Sequence, residues 1–124
     1  LANELREKVH AICEIPAAAR DRGFCDGFVG ASGSVCRNLA EGFARYVSAE
    51  IVKFFRYALA SLEEVKDYLE ECRIRRLLGP EELERLLDLA EHTKATTLKF
   101  MKPHEERRRR RRSPSEPRRP RPGT

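Results

Sequence analysis

At 124 residues the chain has room for one domain with a modest core, and that core is expected to be aliphatic with a few Phe and Tyr, since tryptophan is absent and 36% of residues are charged. The formal charge of +5 is unevenly spread: from Pro103 onward nine arginines face three glutamates, which leaves residues 1–102 near neutrality. No run of about 18 apolar residues could span a membrane, no charged and then apolar leader resembles a secretory signal, and Cys13, Cys25, Cys36 and Cys72 stand singly, so reduced thiols in a cytoplasmic setting are expected.

Leu1, Leu5, Val9 and Ile12 recur at steps of four, four and three among charged residues, which predicts an amphipathic helix ended near Ile15 by Pro16. Because the first residue is Leu, an incomplete N-terminus is expected. Residues 17–23 read as a connection. Phe24, Phe28, Ala31, Val35, Leu39, Phe43 and Tyr46 mark a second helix. Gly27, Gly30 and Gly33 weaken its first half by about 1 kcal/mol each relative to alanine, and a loop running to Ser32 is the alternative.

Ser48 is the predicted N-cap of a third helix, with Glu50 well placed against the helix dipole. Ile51, Phe55, Ala58, Leu62, Val65, Leu69 and Cys72 alternate steps of four and three, the seam of a left-handed bundle. Val52 and Leu59 widen this stripe on one side, Phe54 and Tyr68 on the other, so burial against more than one neighbour is expected. Gly79 should close the helix and Pro80 open the fourth, which runs to about Lys102 through Leu83, Leu86, Leu87, Ala90, Thr97 and Met101. Glu71 with Arg75, and Glu81 with Arg85, are expected surface pairs. Residues 103–124 hold no large apolar side chain to offset their ordering entropy. The reading is all-α: an antiparallel up-down four-helix bundle over residues 1–102 and a disordered Arg/Pro-rich basic tail over 103–124. The third helix is about twice the length of the first, so part of the apolar surface lacks a partner within one chain. A further N-terminal turn and a subunit interface are both expected to cover it.

Little in the chain invites catalysis. The stretch from Gly27 to Ser34 has Gly33 where a phosphate loop needs lysine, follows no strand, and lacks the spacing of a hydrolase elbow. Small residues at these steps suit close approach of two helices. His10 and Cys13 share a helix face, but the further ligands of a four-coordinate zinc site are scattered. The glutamates of the last two helices lie off the apolar stripes, so none is desolvated for acid–base work. No catalytic, cofactor or metal site is expected.

Basic residues carry the binding reading. Arg107, Arg108, Arg109, Arg110, Arg111 and Arg112 form a block, followed by Arg118, Arg119 and Arg121 among prolines. Such a block neutralises phosphates and releases counterions, giving salt-sensitive, sequence-tolerant binding to nucleic acid. Specificity then has to come from elsewhere, and Arg37, Arg45, Lys53 and Arg56, around the turn between the second and third helices, are the candidates on the bundle. A merely solubilising tail is the alternative.

The runs Ser34–Phe43 and Ala58–Glu64 resemble the two signature segments of the 23S rRNA intervening-sequence protein family, Q-x-R-R-A-x-x-S-I-P-x-N-I-A-E-G-F and F-x-x-x-A-x-G-S-x-x-E. Ala31, Ser34, Asn38, Ala40, Glu41, Gly42 and Phe43 stand at matching positions, as do Phe54, Ala58, Ser61, Leu62 and Glu64. The family's paired arginines fall on Val29 and Gly30, its proline falls on Cys36, and the Arg/Pro tail is an addition of this chain. The resemblance implies a bacterial four-helix bundle that assembles as a homo-oligomer, a pentamer by preference, without catalysis. A similar fold occurs in the accessory protein of diversity-generating retroelements, which engages a reverse transcriptase and nucleic acid. Among the matched residues, Ser34, Gly42 and Ser61 are expected to be structural. Asn38, Glu41 and Glu64 are expected to form a polar cluster with Arg37 or Arg45 that fixes helix register or a subunit contact. The leading functional reading is an accessory protein binding structured RNA or a ribonucleoprotein. The alternative is an adaptor for a reverse transcriptase or other polymerase that does not itself touch nucleic acid.

Overall fold

The opening apolar stripe becomes a helix, α1 (Ala2–Glu14), in the computed structural model, which describes residues 1–112. Leu5, Val9 and Ile12 are its buried face. Pro16 ends it through the residue before, since Ile15 adopts the extended conformation (φ −62°, ψ 127°) that a following proline ring imposes. The expected connection contains one more turn, α2 (Pro16–Ala19), with Pro16 at its first positions, where a missing N–H does no harm.

Helix α3 (Arg22–Phe43) begins earlier than its apolar pattern suggests, and no loop extends to Ser32. The Asp21 carboxylate accepts the Phe24 N–H at 3.0 Å, capping the helix ahead of its glycines. That N–H and the Arg75 guanidinium at 2.9 Å hold the Asp21 carboxyl below its ordinary value. Burial of Phe24, Phe28, Ala31 and Val35 supplies the tertiary support that weak local propensity lacks.

Helix α4 (Ser48–Ile74) buries every residue of the predicted seam. Both of its ends differ from expectation. Ser48 is the first helical residue rather than the cap, and its hydroxyl meets the His104 ring at 3.1 Å. Arg76, not Gly79, reverses the chain, with φ of 56°. The Leu77 N–H bonds the Cys72 carbonyl and the Arg76 N–H that of Arg73, a Schellman closure with arginine in the left-handed position usually held by glycine. Gly79 instead precedes α5 and accepts the Leu83 N–H.

Helix α5 (Pro80–Arg112) buries Leu83, Leu86, Ala90, Thr97 and Met101, half-buries Leu87, and adds a buried Thr93. Both threonine hydroxyls donate to carbonyls four residues back at 2.7 Å, so neither is left unpaired in the core. Arg85 pairs with Glu82 rather than Glu81, while the expected Glu71–Arg75 pair forms at 2.9 Å. The break expected after Lys102 is absent, for the helix passes through Pro103 and continues to Arg112. Residues 103–112 of the expected disordered tail are therefore helical, and residues 113–124 lie outside the described residues. His104 on Ser48 and Glu105 on Arg56 tie the extension to α4, and glutamate and arginine are good helix formers.

Helices α3 and α5 each pack against both α1 and α4. Along α3 and α4 the partners are Asp21 with Arg75, Gly27 with Tyr68, Ser34 with Ser61, and Gly42 with Phe55, numbers rising on one helix as they fall on the other. The same holds between α4 and α5 for Ser48 with His104, Glu63 with Lys94, and Lys66 with Glu91. One core cluster joins α1, α3, α4 and α5 around Val9, Phe28, Val65 and Leu86. A smaller one, Ile51, Val52, Phe55 and Met101, lies where α1 does not reach.

Two glycines of α3 serve close approach. A Cβ on Gly27 would overlap the Tyr68 hydroxyl and come within 2.8 Å of Cζ, and the Tyr68 ring is stacked on Phe28 with centroids 5.2 Å apart. Gly42 abuts the buried Phe55 ring, whereas Gly30 meets nothing within 4 Å. Gly27→Ala and Gly42→Ala should therefore each destabilise by about 1–3 kcal/mol through overpacking. Gly30→Ala should stabilise by up to about 1 kcal/mol through helix propensity, the opposite signs being read from urea unfolding of the three variants.

Candidate nucleic-acid interface

Charge is separated along the molecule. The α3–α4 turn and the last turns of α5 share one end, because His104 and Glu105 dock on Ser48 and Arg56. Residues 41–57 and 99–112 hold eleven lysines and arginines against four glutamates; the rest of residues 1–112 holds eleven against fifteen acidic residues. The fold thus gathers Arg45, Lys53 and Arg56 with the Arg107–Arg111 helix, and adds Lys99 and Lys102, which the sequence reading did not single out.

Each cation has a definite setting. Arg45 bonds Glu41 at 2.6 Å and lies 4.9 Å over the Phe54 ring. The Lys53 amine stands 5.6 Å from the Phe54 centroid and 6.0 Å from that of Tyr57. Arg56 reaches Glu105 at 3.3 Å. Exposed pairs of this kind contribute little to stability, so these cations can exchange a carboxylate for a phosphate at small cost. Arg107, Arg109, Arg110 and Arg111 are exposed, Arg108 is half-buried, and Arg112 is the last residue of the helix. Arg37 is exposed on α3, eight residues before Arg45 in the chain. Phe54 and Tyr57 were missed as site residues, although the run Lys53-Phe54-Phe55-Arg56-Tyr57 interleaves base and ring in a way that signals them.

The expected polar cluster forms differently. Glu41 pairs with Arg45, but Asn38 turns to Ser34, donating to its carbonyl at 2.9 Å and its hydroxyl at 3.0 Å. Ser34 in turn meets Ser61 across the helices at 2.7 Å. Glu64 is exposed and has no hydrogen bond or ion pair among the described residues. In the register set by Ser34 and Ser61, Glu64 lies level with Gly30 and Ala31, which offer it no polar side chain. The network that does form is Asn38–Ser34–Ser61, with Gly42 seating Phe55 beyond it.

An apolar strip stays uncovered at the basic end. Phe43 and Phe100, 60% and 52% exposed, meet edge to face with centroids 5.3 Å apart. They lie in the line of the groove that α1 fills further along α3 and α5.

Reactive chemistry finds little support. The Cys25 thiol donates to the Ala18 carbonyl at 3.2 Å. Burial, and then the neighbouring Cys25, push the Cys13 thiol up to about 12, and burial pushes Cys72 up to about 11. Both are protonated at neutral pH and pack as small apolar groups. Among the described residues no group of three or more His, Cys, Asp or Glu could hold a metal ion, and no helix is long and apolar enough to cross a membrane. A depression of about 710 Å³ beside the α4–α5 turn is lined by Leu78, Pro80, Leu83, Leu87, Arg73, Arg76 and Glu84, without a nucleophile.

Of the residues that match the family signature, Ser34, Gly42 and Ser61 lie in the α3–α4 contact. The family profile described as 23S rRNA-intervening sequence protein matches residues 1–99. The chain belongs to that family. Comparison with curated proteins and with solved structures gave no match. The family's pattern therefore spans the packed helices, and Arg107–Arg112 lies beyond it.

Two substitutions separate the observed network from the expected one. Ser61→Ala should cost about 0.5–1.5 kcal/mol by removing the inter-helix hydrogen bond, while Glu64→Ala should stay within about 0.5 kcal/mol of the parent. Thermal melts of the two variants check this.

Proposed function

We propose that this protein is a non-enzymatic, cytoplasmic accessory protein that binds structured RNA, or an RNA within a ribonucleoprotein, through its basic end. The observation that carries the reading is the gathering of Arg45, Lys53 and Arg56 with the helical Arg107–Arg111 run, against a body of slight acidic excess. A surface so divided draws a polyanion to one end and repels it from the other. Membership of a family named for an rRNA intervening sequence is consistent with RNA-linked work and names no activity of its own.

The proposal includes an antiparallel up-down four-helix bundle of α1, α3, α4 and α5, supported by the opposed numbering of the α3–α4 and α4–α5 contacts, and its assembly as a homo-oligomer, with a pentamer preferred. Phe43 and Phe100 support the assembly, since a second copy would take two half-exposed rings out of water. Several basic ends on one scaffold would then multiply a weak charge-based affinity. The same strip favours the alternative, an adaptor for a reverse transcriptase or other polymerase, in which a protein partner buries the rings.

Fluorescence anisotropy with a structured RNA across a salt series tests the main reading on the full chain. Replacing Arg107–Arg112 by glutamine, or Arg45, Lys53 and Arg56 by glutamine, should each weaken binding and flatten the dependence of log Kd on log salt. Affinity unchanged in both variants would favour the adaptor. Native mass spectrometry of Phe100→Glu should show loss of the assembled species; an unchanged mass would remove the strip from the subunit contact.

A further inference from the structure

The outer face shared by α3 and α4, beside the basic end, carries aromatic rings beneath cations. Phe54 and Tyr57 meet edge to face with centroids 6.1 Å apart, Arg45 lies over Phe54, and Lys53 lies over both. Neither ring belongs to a core cluster. Tyr57 is 50% exposed, whereas Phe55 beside it is wholly buried. These rings are thus placed on a regular, well-supported helix without serving its core. Tyr46, next to Arg45 in the adjoining turn, is 98% exposed.

We propose that Phe54 and Tyr57 are a stacking platform for unpaired RNA bases, with Arg45 and Lys53 taking the adjoining phosphates. The proposal rests on the RNA reading above and narrows it to loops, bulges or single strands. Unpaired bases expose ring faces that stack on aromatic side chains, whereas the bases of a duplex are stacked on one another. The cations are already held within 6.0 Å of the rings, so base and phosphate of one nucleotide can be met by neighbouring side chains. Glu41, which now occupies Arg45, is the anion a phosphate replaces. Charge complementarity selects this occupant: on the stretch Lys53–Tyr57 every charged residue is basic.

The test uses the full chain, with an unstructured oligouridylate and a blunt RNA duplex as anisotropy probes at fixed salt. Tyr57→Leu keeps apolar bulk and removes the aromatic face; it should weaken oligouridylate binding by about 5- to 100-fold and leave duplex binding within about twofold. Tyr57→Phe should retain both. Equal loss on both probes, or no loss on either while the parent binds, overturns the platform and leaves the charge-based reading standing. Dissociation of an oligomer by Tyr57→Leu with both probes weakened assigns the face to a subunit contact and overturns it too. A parent that binds neither probe at low salt removes the RNA reading itself.

Discussion

Between α3 and α4 the approach is set at three heights by residues with little or no side chain: Gly27 beneath Tyr68, Ser34 against Ser61, and Gly42 beneath Phe55. Each small residue seats one particular partner, so a slide of one helical turn would set a ring against a Cβ and break the serine contact. Register here propagates through the molecule. It places Ser48 and Arg56 where His104 and Glu105 find them, which fixes α5. α3 and α5 together then form the seat on which α1 lays Leu5, Val9 and Ile12. The Arg75 side chain clasps the far end, bonding Asp21 and Glu71 and covering the Phe24 ring at 4.6 Å.

Much of this was legible in the residues because it depends on periodicity alone. The stripes of α1, α4 and α5 name their own buried faces, and the family signature marked Ser34, Gly42 and Ser61 as structural. What was not legible depends on a second helix. The glycines of α3 look like helix weakness until Tyr68 and Phe55 are set against them. Ser48 has the chemistry of a cap, but Val47 holds that position and the Ser48 hydroxyl meets His104. Gly79 looks like a helix terminator, yet the left-handed turn came three residues earlier at Arg76, where sequence gives no warning. Glu64 was assigned a partner on spacing, but the facing positions on α3 carry no polar group.

The site divides in the same way. Its charges could be counted from the sequence, but their gathering could not, because Arg45 and Arg107 are far apart in the chain and are brought to one end only through the α4–α5 contact. Phe54 was read as the flank of a buried stripe, since ring and core are the commoner association, and Tyr57 was not singled out. Their position under Arg45 and Lys53 becomes visible only when α3 is laid beside α4.

The passage of α5 through Pro103 has a consequence for the arginine run. Proline has no N–H to offer the Lys99 carbonyl, so the hydrogen-bond ladder is interrupted there, and the last turns are anchored by the side chains of His104 and Glu105. Beyond them, Arg107 with Arg110 and Arg111, and Arg108 with Arg111, stand three and four apart, each like-charged pair costing some tenths of a kcal/mol. This end of the helix is therefore a polyelectrolyte whose self-repulsion responds to its ions. Dilute salt strengthens that repulsion, and screening or a bound polyanion relieves it.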